Sequence, residues 1–298
     1  KKVKNIEWNE IRYVRLSIAG FDSIPGFLEI AKMEVVGNEW QEMGIVGEDS
    51  LLFENLEPSF KVAVINTEDN SDYIPPKGVK GEYDQLNDIR SKEQSLVLKF
   101  DQLPPKHTGI TQKTLYTLND NQKKSFMTYD YMKMYVHGDS PWITTLETDV
   151  EVFLRFGLGN DYYEITNPIY SGWDEDEKRN SFEIDLDWLT TLKQDTSNIK
   201  RENNFDIILD SSNVRQYIYR NEIGENTGKR IKIVGKPALN RLQYFMVGVT
   251  NTGAEPINGE LWLDELRLSG VKKEKGIAMR FQSNIKLSDL GTANFVYS

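Results

Sequence analysis

The sequence predicts an all-β fold, an antiparallel sandwich of the jelly-roll kind, on three observations. Short runs in which apolar and polar residues alternate recur along the 298 residues. Gly, Pro, Asn and Asp punctuate these runs, and helical periodicity is scarce. Many strands with turn signals between them argue for packed antiparallel sheets rather than a parallel α/β sheet.

The elements follow in order. IRYVRLSI (11–18) and LEIAKMEVV (28–36) read as strands with one apolar face, as do FKVAVIN (60–66) and SLVLKFD (95–101). The polar stretch 67–92 carries Pro75 and Pro76 and reads as an extended connection. Further strands are YMKMYVH (131–137), VEVFLRF (150–156), DYYEIT (161–166), RLQYFMVGV (241–249) and ELWLDELRL (260–268). Helix is expected over 185–193, with Asp185 or Asp187 as cap, and over 112–117.

The segment GELWLDELRLSG (259–270) carries a hitch in its alternation. Leu261 and Leu263 share a face, Asp264-Glu265 intervenes, and Leu266 and Leu268 resume one position out of step. A β-bulge does this, because one extra residue reverses the facing of everything after it. Residues 10–37 echo 241–270, and the hitch is in both copies: Leu28, Ile30, Met33 and Val35 fall on Leu261, Leu263, Leu266 and Leu268. The chain is thus expected to open with the closing hairpin of one sandwich and then supply most of a second.

At the other end, 277–287 (IAMRFQSNIKL) alternates over eleven residues, and SDLG (288–291) makes a tight turn. A membrane-spanning β-strand of about 9–11 residues has this pattern, apolar to lipid and polar to the lumen. A soluble edge hairpin has it equally. Both ends read as cut from a longer protein, and no signal peptide is expected. No apolar run approaches the roughly 20 residues of a membrane helix. The formal net charge of −10 weighs against nucleic acid as a partner. The absence of cysteine excludes disulfides, thiol catalysis and Cys-based zinc sites; it suits a periplasmic or surface location.

Catalytic chemistry has little support. His107 lies in a loop, His137 ends a strand, and no GxSxG element accompanies either. Glu151, Asp161, Glu164 and Asp174 could supply a carboxylate pair, but the chain has 46 acidic residues and solvated faces are their ordinary use. GxGxxG is missing. The better candidate is a polar and aromatic sheet face. If Met132, Met134 and Val136 point inward, Tyr131, Lys133, Tyr135 and His137 point outward. If Val150, Val152, Leu154 and Phe156 point inward, then Phe153 and Arg155 point outward, with Tyr162 and Glu164 alongside. A face of Tyr131, Tyr135, His137, Phe153, Arg155, Tyr162 and Glu164 stacks sugar rings, or is covered by another part of the protein. Oxygen-rich loops at 68–72, 160–161 and 173–177 supply hard ligands, and Asp264 holds the place of a last-strand acidic residue that binds structural calcium in jelly-roll modules. No other cofactor is expected.

The strings LWLDELRLSG and GIAMRFQSNIKLSDLGTANF resemble repeated segments of the SprA (Sov) family, the giant outer-membrane translocons of the type IX secretion system, linked to gliding motility. IRYVRLSIAGF, KEQSLVLKFDQL, YMKMYVHGD, EVFLRFGLGNDYYEITNPIY and FEIDLDWLTTLK agree in the same order, so the resemblance covers nearly the whole chain. Segments 102–125 and 195–230 depart from it. The resemblance implies a sandwich insertion domain followed by amphipathic strands of a large outer-membrane β-barrel, and no enzymatic activity. It divides the chain into a closing hairpin of a preceding repeat (1–45), a jelly roll (46–272), and barrel strands (273–298). It implies as partners the outer membrane, a PorV-type outer-membrane barrel protein and type IX secretion substrates. Because external loops are long and periplasmic turns short, the domain is expected on the extracellular side, gating, capping or offering a docking surface. The alternative function is a carbohydrate-binding jelly roll of a surface glycan-uptake system.

Overall fold

The computed structural model describes residues 40–47, 60–81, 83–85, 88–115, 125–144, 146–194, 205–210, 213–220, 226–272, 281–287 and 291–297. For 205–210, 281–287 and 291–297 only the backbone course is described. The chain divides at Gly37/Asn38 into two compact units. The expected strands 11–18 and 28–36, with the first copy of the echo, lie outside the described residues.

The strands are β1 (Trp40–Gly47), β2 (Phe60–Asn66), β3 (Tyr83–Asp84), β4 (Ile89–Arg90), β5 (Gln94–Leu103), β6 (His107–Thr114), β7 (Tyr129–Asp139), β8 (Val150–Leu158) and β9 (Asp161–Pro168). The chain continues through β10 (Phe182–Asp185), helix α1 (Leu186–Gln194), β11 (Phe205–Asp210), β12 (Val214–Arg220), β13 (Asn226–Val234), β14 (Tyr244–Asn251), β15 (Ile257–Val271), β16 (Phe281–Leu287) and β17 (Gly291–Tyr297). Eight strands form one sheet in the order β1-β6-β14-β8-β9-β13-β12-β11, and five form another in the order β10-β7-β15-β5-β2. All these pairings are antiparallel, so the fold is an all-β sandwich. β1 straddles the junction expected at 45/46 and pairs with β6 inside the large sheet.

Alternation decides which side chains go inside. Met132, Met134 and Val136 of β7 join Val150, Val152, Leu154 and Phe156 of β8 in one buried core, as the sequence pattern requires. The five-stranded sheet is too narrow to cover its partner, and α1 makes up the difference. Leu189 and Leu192 are fully buried in the same core as Tyr217, Ile231 and Ile233. The Tyr217 hydroxyl donates to Leu192 O at 3.0 Å. Asp185 caps the helix, accepting from Trp188 N at 2.9 Å.

Three readings change. Residues 112–114 are strand rather than helix, because Gln112 and Lys113 pair with β1 on one side and β14 on the other. Two ladders outweigh a short local propensity. The strand expected over 241–249 begins at Tyr244, since Arg241 N bonds Ala238 O in a turn. The connection 67–92 contains the short β3–β4 pair. The tail strand is described from Phe281, and pairs with β17 from Phe281↔Tyr297 to Leu287↔Gly291.

The hitch in β15 is a bulge. Asp264 faces Tyr135 and Arg267 faces Lys133, so three steps on β15 match two on β7. Leu261 and Leu263 are buried before it, and Leu266 and Leu268 pack on the same core after it. Glu265 takes the left-handed conformation, with φ 53°, where a β-branched side chain is strained. Asp264 is 5% exposed and its Oδ1 accepts from Glu265 N at 2.7 Å, bracing that turn. We expect Glu265→Val to lose about 1–2 kcal/mol in urea unfolding and Glu265→Asn to lose less than about 0.5 kcal/mol, since Asn tolerates this conformation.

Candidate functional site

The structure separates the seven residues of the expected face. Tyr131, Tyr135 and His137 lie on β7, on the outer side of the five-stranded sheet. Phe153, Arg155, Tyr162 and Glu164 lie on β8 and β9, on the outer side of the eight-stranded sheet. The core runs between the two groups, so no single ligand spans them. Alternation reports which way a side chain points within its own sheet, but not which sheet the strand joins.

The group on the large sheet is closed upon itself. Arg155 Nε donates to Glu164 Oε2 at 2.7 Å, and its guanidinium lies 4.3 Å from the Tyr162 ring centroid and 5.0 Å from that of Phe153. Phe153 in turn covers Gly248 on β14, leaving no room there for a Cβ. Beside it Arg230 forks onto Glu151, with Nη1 donating to Oε1 at 2.9 Å. Arg179 likewise holds Asp174, Nη2 to Oδ1 at 2.6 Å, and lies 3.7 Å from the Tyr170 ring centroid. Burial works to raise the Asp174 pKa, but the Arg179 hydrogen bonds prevail and hold it below the usual carboxylate range. Three of the four carboxylates considered for acid–base work are thus structural partners of arginine. Arg155→Met is expected to cost about 1–2 kcal/mol in chemical denaturation, because it strands the half-buried Glu164 carboxylate.

On the small sheet the outer face is roofed. The ring of His137 stacks on Trp262 at 4.2 Å and meets Trp173 edge-on at 5.0 Å. Tyr73, from the loop after β2, packs against Trp262 at 5.5 Å, and with Val97 they form a second small core. The Tyr73 hydroxyl donates to Asp264 Oδ2 at 3.0 Å and lies 2.7 Å from Ser95 Oγ. Trp173 Nε1 donates to Ile74 O at 2.9 Å, tying the two loops of the roof together. The Asp264 carboxylate is therefore occupied by donors of this chain. Burial raises its pKa, against the hydrogen bond from Tyr73. Among the described residues no group of three or more His, Asp and Glu is placed to hold a metal ion.

His137 is kept neutral. Burial lowers its pKa, outweighing the nearby Asp139 and Glu260 carboxylates. Nδ1 has no hydrogen-bond partner, so protonation there would bury an unsatisfied N–H. Because the folded state resists the proton that the unfolded ring takes up, stability falls as pH drops below the unfolded pKa of about 6.5 and continues to fall through the lower folded one. Urea midpoints at pH 8 and pH 5 are expected to differ less in His137→Phe than in the unsubstituted chain.

A cleft of about 440 Å³ opens beside this roof. Its charged lining is Lys77, Lys133, Lys178, Lys229, Glu175 and Glu183. Tyr135 and Trp173 wall it, and Met134 and Phe182 reach it from the core. Of the expected face only Tyr135 lines this cleft. Lys133 binds Glu183 at 2.7 Å, while Lys77 and Lys178 are exposed. The lysines come from the roof loops, β7 and β13, separate stretches whose convergence no local pattern announces.

The fold and this arginine-stapled surface define an all-β sandwich module. The family model for motility related/secretion proteins matches residues 2–298. The chain therefore belongs to the SprA family, as its motif order implied. Comparison with curated proteins returns no match.

Proposed function

We propose that this sandwich is a structural domain of an outer-membrane protein-conducting channel of the type IX secretion system, which exports folded proteins to the cell surface. The observation that carries the reading is the order of parts. Within a chain of the motility related/secretion family, an antiparallel hairpin, β16–β17, follows the sandwich, and its sequence alternates as a barrel strand does. The domain stands on the extracellular side and gates the exit or offers a docking surface there. Its partners are a PorV-type outer-membrane barrel protein and type IX secretion substrates. In this reading its role is structural rather than catalytic, which the engagement of His107 Nδ1 with Pro105 O at 2.8 Å and the packing of His137 between tryptophans support. The glycan-binding alternative is weakened, because the seven residues that suggested it sit on two separate sheets.

Imaging of detergent-extracted full-length protein tests this directly. Residues 277–287 are expected to run as one strand of a large membrane barrel. A hairpin folded back as the edge of a free-standing sandwich defeats the proposal. Protease added to intact cells is expected to cut at the exposed acidic loop Glu175, Asp176 and Glu177; an external domain cannot be spared under conditions that cut the isolated chain.

A further inference from the structure

Lys229 places a partly buried ammonium at the inner edge of the large sheet. It lies on β13 two positions before Ile231 and four before Ile233, both buried in the core. By alternation its stem points to the same inner side. It sits at the rim, with its ammonium 5.5 Å from the Tyr219 ring centroid. Among the described residues no carboxylate lies within ion-pair distance of it. Burial lowers its pKa, and the more distant Glu183 only partly opposes this. A methionine would fill such a position without the cost of desolvating a cation. The ammonium opens onto the cleft described above, where Lys77 and Lys178 also converge. Three lysines that form no ion pair among the described residues thus collect in one concavity of a chain whose net charge is −10.

We infer that this cleft binds an acidic, extended protein segment, with carboxylates received by Lys229, Lys178 and Lys77 and an apolar side chain seated against the half-exposed rings of Tyr135 and Trp173. The lining favours a peptide over a neutral glycan. Sugar hydroxyls are met by amides, carboxylates and indole N–H groups, whereas here the Trp173 N–H is spent on Ile74 O and the available donors are ammoniums. The mixture of lysines, two glutamates and the half-exposed rings of Tyr135 and Trp173 matches alternating acidic and apolar side chains better than a uniformly charged polymer. The cleft also adjoins β10, the edge strand of its sheet, along which an extended chain can lie. The inference deepens the docking role proposed above and rests on that reading only for its setting.

Calorimetric titration of the chain tests it, with the blocked peptide Glu-Leu-Glu-Phe-Glu-Leu, its Gln-for-Glu counterpart, sodium polygalacturonate and a neutral cello-oligosaccharide as probes. The acidic peptide is expected to bind, and to bind about tenfold more tightly than the Gln peptide at low salt, with the difference shrinking as salt rises. Lys229→Met is expected to weaken binding about tenfold while leaving the thermal midpoint unchanged or higher, which separates a ligand-binding lysine from a structural one. Should Lys229→Met fail to fold, the double variant Lys77→Gln with Lys178→Gln, both at exposed positions, is expected to weaken binding as well. Equal affinity for the two peptides, no binding of the acidic peptide, tighter binding of polygalacturonate or the cello-oligosaccharide, or unchanged affinity in these variants overturns the inference. Any of those results leaves the channel reading intact, whereas a full-length protein with no membrane barrel defeats that reading and leaves a measured cleft affinity standing.

Discussion

One extra residue in β15 governs the small sheet. β15 lies at its centre, between β7 and β5, and the step from Asp264 to Arg267 against Tyr135 to Lys133 reverses the phase of the strand. Without that reversal, burying Leu261 and Leu263 would turn Leu266 and Leu268 to the outside. The bulge also directs Asp264 outward, where a buried carboxylate needs donors. Tyr73 and the Glu265 amide supply them. By reaching Asp264, Tyr73 draws its loop over Trp262 and His137, and Trp173 closes the roof from the other side. The roof loops in turn supply Lys77, Trp173 and Lys178 to the cleft.

Charge is handled differently on the two outer faces. On the large sheet each of two arginines is spent on a carboxylate across the ladder, Arg155 on Glu164 and Arg230 on Glu151. The aromatic rings of Phe153 and Tyr162 flank the first of these pairs. Planar guanidinium groups suit such closed, bidentate and stacked arrangements. At the cleft beside the small sheet the cations are lysines, and Lys229, which reaches it from β13 of the large sheet, has no ion pair among the described residues. A surface already stapled by arginine has little left to offer a partner, while Lys77, Lys178 and Lys229 beside the Tyr135 and Trp173 rings retain their donors.

The helix follows from a mismatch of widths. Eight strands face five, and the inner sides of β12 and β13 need a cover. α1 follows β10 directly, is capped by Asp185, and buries Leu189 and Leu192 over Tyr217 and Ile231. Lys229 stands where that cover ends, which is why an inward position there reaches solvent.

Much of this was legible in the residues alone. The all-β class, the strands at 60–66, 95–101, 131–137, 150–156 and 161–166, the inward sets on β7 and β8, the bulge at Asp264-Glu265 and an aspartate cap at 185 or 187 all depend on local patterns of period 2 or 3.6, or on a turn's own chemistry. β6 was not legible, because its Thr, Gln and Lys residues become strand only through ladders on both sides. β10 alternates, but over four residues that run straight into α1, too few for the period to stand out. Sheet membership was beyond reach as well. Facing is a property of one strand, whereas the sheet a strand joins depends on pairing with residues far along the chain, as Asp264 with Tyr135 or Gln112 with Met246. Local alternation alone therefore turns Tyr131, Tyr135 and His137 away from the core, and likewise Arg155. That they do so on opposite faces of the sandwich, and that the cleft gathers lysines from separate loops and sheets, follows from long-range strand pairing.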